Sequence, residues 1–200
     1  MAAIRPYRAE DGDAIYAICL ATGDVGQDAS HLYRDPKLIG HVYAGPYSAL
    51  APELCFVLED ETGVGGYVMG ALDTHAFENR LEAEWWPALR AQYADPVEIK
   101  SRDDRMMHLI HHLPRTPRRI TENYPAHLHI DLLPRFHGKG WGRRMIDRWL
   151  AVARDKGSRG VHLAVGESNA RAARFYKAYG FIEIERSGPP FDVIFFGISG

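Results

Sequence analysis

Nothing constrains the fold of this chain more than Leu132-Leu133-Pro134-Arg135-Phe136-His137-Gly138-Lys139-Gly140-Trp141-Gly142-Arg143-Arg144, where an apolar strand pattern passes through three alternate glycines into a helix. Glycine turns the backbone tightly and lets it approach a ligand, so several N–H groups can converge on one anion where the helix dipole is positive. The alternation continues downstream. A strand at 127–133 leads to a helix at 141–156 ended by Gly157, a strand at 161–165, a helix at 169–179 ended by Gly180, and strands near 181–186 and 191–198. Trp141, Met145, Ile146, Trp149, Leu150 and Ala153 share one stripe of the first of these helices, which fixes it against a sheet and aims its N-terminus at the strand's carboxyl end.

The N-terminal half reads as a strand over 2–7, then a helix with Asp11 as its N-cap and Ile15, Ile18 and Cys19 on its buried face. Residues 24–52 carry Gly, Pro, Asp and Tyr and predict loops and short helical turns. Residues 54–59 and 66–72 form a hairpin through Asp60-Glu61-Thr62-Gly63. Residues 74–125 are a helical insertion, with one helix around Trp85, Leu89 and Tyr93 and another around Met106, Met107, Ile110 and Leu113, followed by a proline-marked loop. The whole, 1–200, is read as one α/β domain.

Composition limits the partners. The formal charge is −2, which disfavours nucleic acid and points to a small anionic ligand held by local basic groups. Cys19 and Cys55 are far apart and lack metal spacing, as expected of a reducing, cytoplasmic setting. No apolar run approaches the roughly 20 residues of a membrane span, and Met1-Ala-Ala-Ile-Arg lacks an apolar signal core, so neither export nor insertion is expected. Arg135, Lys139, Arg143 and Arg144 surround the glycine turn and supply cations for phosphate. The turn is not a Walker loop, since no Gly-Lys-Ser or Gly-Lys-Thr occurs, and it lacks the near-N-terminal β-α-β setting of a dinucleotide fingerprint.

A second signal follows the strand at 161–165. Asn169 is placed to cap the next helix, and Ala172 and Tyr176 fall on the same side of it, so a ligand along that face meets an amide, a gap and a phenol. Gly180-Phe181 closes the motif.

Together the two segments resemble the GNAT superfamily of acetyl-CoA-dependent N-acetyltransferases. The family's Arg/Gln-x-x-Gly-x-Gly/Ala turn is matched by His137-Gly138-Lys139-Gly140-Trp141-Gly142, with His137 as the departure, and its Asn, Ala, Tyr, Gly-Phe series by Asn169, Ala172, Tyr176, Gly180 and Phe181. The resemblance implies a mixed, mostly antiparallel sheet with helices on both faces and a splay between the strands at 127–133 and 161–165. It implies acetyl-CoA as cosubstrate, held by Leu132, Leu133, His137, Gly138, Lys139, Gly140, Trp141, Gly142, Arg143, Asn169, Ala172, Phe175 and Tyr176. It assigns the pyrophosphate to the turn, the pantetheine amide to Asn169 and the proton for the leaving thiolate to Tyr176. Ile4-Arg5-Pro6-Tyr7, Cys55 to Glu61, Gly157 to Gly160 and Phe191 to Ile194 are similar, more narrowly, to the C-terminal acetyltransferase-like domain of O-GlcNAcases, whose eukaryotic forms lack the loop glycines.

Acetyl transfer to an amine needs a neutral nitrogen, an oxyanion site and an acid. Backbone N–H groups near Leu132 and Leu133 are the expected oxyanion donors and Tyr176 the acid. On the strand, alternation puts His127, His129 and Asp131 on one face. Asp131, nearest the thioester end and matched by an Asp in the O-GlcNAcase domain, is the leading base; His129 is the second, and a water relay is a third route. His127 with His129, or His108 with His111 and His112, offer metal-type nitrogens without accompanying carboxylates, so no metal is expected. Trp85 and Trp86 either line an acceptor site or pack. The acceptor stays open among small amines, aminosugars and lysine side chains, as do acyl length and oligomeric state, a homodimer included. The alternative class is a non-catalytic module that binds CoA or a peptide.

Overall fold

A computed structural model of the chain describes residues 1–188 and 192–200. Seven strands form one sheet: β1 (Ala3–Pro6), β2 (Phe56–Asp60), β3 (Gly63–Ala71), β4 (Ala126–Leu132), β5 (Gly160–Gly166), β6 (Ile182–Ser187) and β7 (Val193–Ser199), in the order β1-β2-β3-β4-β5-β7-β6. Every neighbouring pair is antiparallel except β4 with β5. The last strand was expected from Phe191; that residue lies outside the described residues, and the strand is seen from Val193.

Helices cover both faces. On one side lie α1 (Gly12–Thr22), α2 (Leu38–Tyr43), α3 (Gly45–Leu50), α4 (Thr74–Arg80), α5 (Trp86–Gln92) and α6 (Arg102–His112); the short α7 (Arg118–Thr121) leads into β4. On the other lie α8 (Trp141–Asp155) and α9 (Ala170–Tyr179). Strand alternation divides the core accordingly: Val57, Tyr67 and Met69 face the first layer with Ile15, Ile18 and Ile110, while Phe56, Leu58 and Val68 face the second with Met145, Ile146 and Trp149. Gly70 is required where β4 and α8 press on β3, because a Cβ there would lie 2.1 Å from the His127 carbonyl oxygen and 2.6 Å from the Trp149 ring.

Two local readings are corrected. Asp11 does not cap α1 with its side chain; its carboxylate receives Arg5 Nη1 (2.7 Å) and Nη2 (2.8 Å) and the Arg8 N–H (2.8 Å), because a buried carboxylate beside a guanidinium is better satisfied by charge-assisted bonds. The segment between β3 and β4 holds more helix than its two periodic stretches announce. Asp73 caps α4 through the Ala76 N–H (2.9 Å), and a π-helical turn, Leu81–Trp85, joins α4 to α5. Pro87, which has no N–H to donate, sits in the first turn of α5, where none is needed.

Candidate functional site

β4 and β5 pair only at Ala126 with Val161 and His127 with His162, yet β4 continues to Leu132 and β5 to Gly166. The sheet therefore opens into a V at its carboxyl end. The β3–β4 ladder keeps register throughout, and the Leu133 N–H donates to Gly65 O (2.8 Å). Residues in an antiparallel ladder alternate in direction, so with Leu133 and Asp131 turned toward β3, the Ile130 and Leu132 main-chain groups turn toward the open V. Of the two expected oxyanion donors, the Leu133 N–H is thus already committed and the Leu132 N–H faces the opening. The Leu132 carbonyl is taken by His137 Nε2 (2.8 Å).

The turn after β4 is a 3₁₀ segment, Pro134–Phe136, anchored by the buried Phe136. Gly138 (φ 71°) and Gly140 (φ 76°) are both left-handed, and Gly140 is the N-cap of α8. Nothing lies within 4 Å of where a Cβ would stand on either glycine, so open space faces the turn. The surrounding cations divide. Arg143 lines the opening, its guanidinium 4.9 Å over the Tyr179 ring. Arg135 bonds Gly63 O (3.0 Å) and lies 3.4 Å from Asp60, Lys139 donates to Arg135 O (2.8 Å), and Arg144 lies over Trp141 (4.7 Å). These three serve the local structure.

Across the V, Asn169 Oδ1 accepts the Ala172 N–H (3.0 Å) and caps α9, which leaves its amide NH₂ to donate. Tyr176 is 8% exposed, among Phe175, Phe181 and Phe196. Burial, and then the charge of Asp131, push its phenol far above the ordinary range. The phenol stays protonated near neutral pH.

The polar face of β4 points to the α1, α2 and α6 layer. Asp131 Oδ2 accepts the Tyr67 hydroxyl (2.6 Å), and Cys19 lies beside that hydroxyl. His129 Nε2 is 3.1 Å from the same oxygen but out of line for a hydrogen bond, and so is buried without a bonded partner among the described residues. Its ring stacks with Tyr43 (6.1 Å) and Tyr67 (5.8 Å). His127 is occupied by Tyr47 (2.9 Å) and Thr74 (2.8 Å), and burial lowers its pKa to about 3.

Groups from both sides of the V share one cavity of about 1030 Å³. Its wall includes His129, Asp131, Leu132, His137, Gly138, Gly140, Trp141, Gly142, Arg143, Asn169, Ala172, Phe175 and Tyr176; Leu133 and Lys139 are off it. Sequence reasoning missed Arg171, whose guanidinium approaches His137 (3.5 Å), and a second region built by Cys19, Thr22, Tyr33, Tyr43, Arg102 and Arg105. The only signal for the latter was two arginines one turn apart at the start of a helix. Trp85 and Trp86 are away from the cavity: Trp85 Nε1 donates to His41 O (3.0 Å), and Trp86 is in the core. His108 and His112 do meet a carboxylate, Asp95, at 3.4 and 2.5 Å, outside the cavity, where the cluster ties the α5–α6 loop to α6. Among the described residues, no helix is long and apolar enough to cross a membrane.

The Acetyltransferase (GNAT) family model matches residues 105–181, from α6 to the end of the α9 motif. Among curated proteins the chain is 29% identical to protein O-GlcNAcase of Rattus norvegicus and of Mus musculus, over 98% of its own length and 22% of theirs. It thus spans about a fifth of those relatives. Among solved structures it is similar to SsHAT, with a TM-score of 0.88, 38% identity, and 99% and 98% of the two chains covered. The yncA protein of Salmonella typhimurium, solved with its cofactor acetyl-CoA, shares the fold, with a TM-score of 0.56 at 16% identity over 99% and 93% of the chains.

Proposed function

Because the chain belongs to the GNAT acetyltransferase family, we propose that it transfers the acetyl group of acetyl-CoA directly to an amine nitrogen within a ternary complex. The observation that carries this reading is the single cavity whose wall holds both Tyr176 and Asp131 beside a turn with two left-handed glycines. The turn amides and Arg143 suit the pyrophosphate, the inward main-chain groups of Ile130 and Leu132 suit the pantetheine arm, and the Asn169 NH₂ suits a pantetheine carbonyl.

Asp131, with His129 beside it, accepts a proton from the acceptor ammonium. The freed nitrogen attacks the thioester carbon, and the Leu132 N–H takes the developing oxyanion. As the tetrahedral species collapses, the C–S bond breaks, Tyr176 donates its proton to sulfur, and the nitrogen gives up its second proton, which returns through water to the Tyr176 phenolate while the first leaves Asp131 for solvent. Transfer through Cys19 is disfavoured, since burial pushes that thiol far from its ionised form.

The test is thiol release from acetyl-CoA across a panel of amines, alongside calorimetric titration of acetyl-CoA. Tyr176→Phe is expected to lower kcat by about 10²–10⁴-fold and leave cofactor affinity nearly unchanged. An unchanged rate removes Tyr176 as the acid. Absence of acetyl-CoA binding overturns the whole reading, and CoA binding with no transfer to any amine replaces it with a non-catalytic module.

A further inference from the structure

We propose that the acceptor is an anionic amine, a small molecule whose nitrogen meets Asp131 and His129 while its carboxylate or phosphate group is held by the α6 wall at Arg102. The identity of the nitrogen rests on the acetyl-transfer reading; the anion site does not.

The cavity has two sides because β4 does. Its even residues, Leu128, Ile130 and Leu132, pack with α8 and α9, and the glycine turn and Arg143 belong to that side. Its odd residues face α1, α2 and α6. There the wall carries Tyr33, Tyr43, Arg102 and Arg105, with the two arginines in the first turn and a half of an eleven-residue helix. Tyr43 links them to the chemistry: its ring stacks on His129 at 6.1 Å, and His129 Nε2 is 3.1 Å from Asp131 Oδ2. The cationic charge of Arg102 and Arg105 acts on the Tyr43 phenol, and that of Arg102 on Tyr33 as well.

Of the neighbouring acids, Asp103 also acts on Tyr33, with the opposite sign, but it and Asp104 are held by other partners. Asp103 is buried and accepts from the Arg34 (3.0 Å) and Asp35 (3.3 Å) N–H groups, and Asp104 accepts from Lys100 N (2.9 Å); neither lines the cavity. Arg102 is exposed on the wall and, among the described residues, makes no ion pair. A cavity wall that carries an acid–base pair, guanidinium and phenol donors linked to it through Tyr43, and cofactor cations on the opposite side of the strand complements a ligand of matching polarity. A plain amine leaves Arg102 unanswered, and a diamine is repelled by it.

The experiment uses matched acceptors: phenylalanine against phenylalaninamide, and glucosamine 6-phosphate against glucosamine. Acetylation and calorimetric binding to the CoA-saturated protein are both measured. In at least one pair the anionic member is expected to show tenfold or greater kcat/KM and tighter binding, and which pair responds separates carboxylate from phosphate. Arg102→Ala is expected to erase that preference through KM and binding with little change in kcat or CoA affinity, and Arg102→Lys to restore part of it. Neutral members that serve equally well in both pairs, or a preference that survives Arg102→Ala in a folded protein, overturn the proposal. If acetyl-CoA binds and no acceptor is acetylated, the transfer reading fails alone: Arg102-dependent binding of the anionic members still upholds the anion site, and its absence overturns that too.

Discussion

At the scale of single residues, the chain places its charged groups by how well they can be satisfied. Asp11 is 4% exposed and holds Arg5 in two short bonds, with Glu59 on the guanidinium's other side. Asp11→Ala leaves Glu59 as the remaining acid on Arg5 and orphans the Arg8 N–H, so it is expected to cost about 1.5–3 kcal/mol in urea unfolding. A loss under about 1 kcal/mol would mean that Arg5 finds equivalent bonds elsewhere. This pair was illegible in the sequence, where an acid before an apolar helix looks like a cap; the competing guanidinium arrives from a strand, and only folding brings them together. Asp131 and His129 were legible as neighbours, because strand alternation is local. The Tyr67 hydroxyl that holds Asp131 came from the next strand, and no spacing rule reaches it.

Elements set the direction of the chemistry. The glycine turn was readable because its requirement is conformational: Gly140 at φ 76° ends one element and begins the next. Gly140→Val puts a branched side chain into a left-handed position at about 1–2 kcal/mol of strain, in space now open to the turn. We expect a lower Tm together with at least tenfold weaker acetyl-CoA binding in calorimetry, whereas Gly157→Val, left-handed at the far end of α8, should lower Tm alone. Equal binding losses in both would mean that the turn acts only through stability. The basic residues were less legible. Four cations around a glycine turn read alike in sequence, but Arg135 folds back on the β2–β3 hairpin because Gly63 O and Asp60 are within its reach. The helical layer between β3 and β4 was least legible, since a π turn breaks the 3.6-residue period on which such readings depend.

For the whole molecule, two cores on opposite faces of one sheet predict a single cooperative unit whose stability responds to pH and ligand. His127 is held neutral, its pKa lowered from 6.5 to about 3 by burial, and His162 is lowered by the same cause. Above pH 6.5 neither the folded nor the unfolded chain protonates His127. Below it the unfolded chain gains a proton that the folded one refuses, so stability falls as pH drops from 6.5 toward 3, by about 1.4 kcal/mol per unit for this group. Urea midpoints at pH 7 and pH 5 test the sign, and a midpoint that holds or rises at pH 5 contradicts it. Acetyl-CoA at about 100 times its Kd should add about 2.7 kcal/mol, equivalent to about 5–10 °C in Tm.

The two-rung seam between β4 and β5 has a mechanical meaning. It divides the sheet into a four-strand plate and a three-strand plate, joined at Ala126–Val161 and His127–His162 and unpaired with each other beyond them. A cofactor lying in the V would act as an eighth, borrowed strand, locking the plates with hydrogen bonds that the chain does not make for itself. The Ile130 and Leu132 amides would then exchange with solvent slowly only while it is present. Occupancy would be written in the rigidity of the sheet as much as in the chemistry it performs.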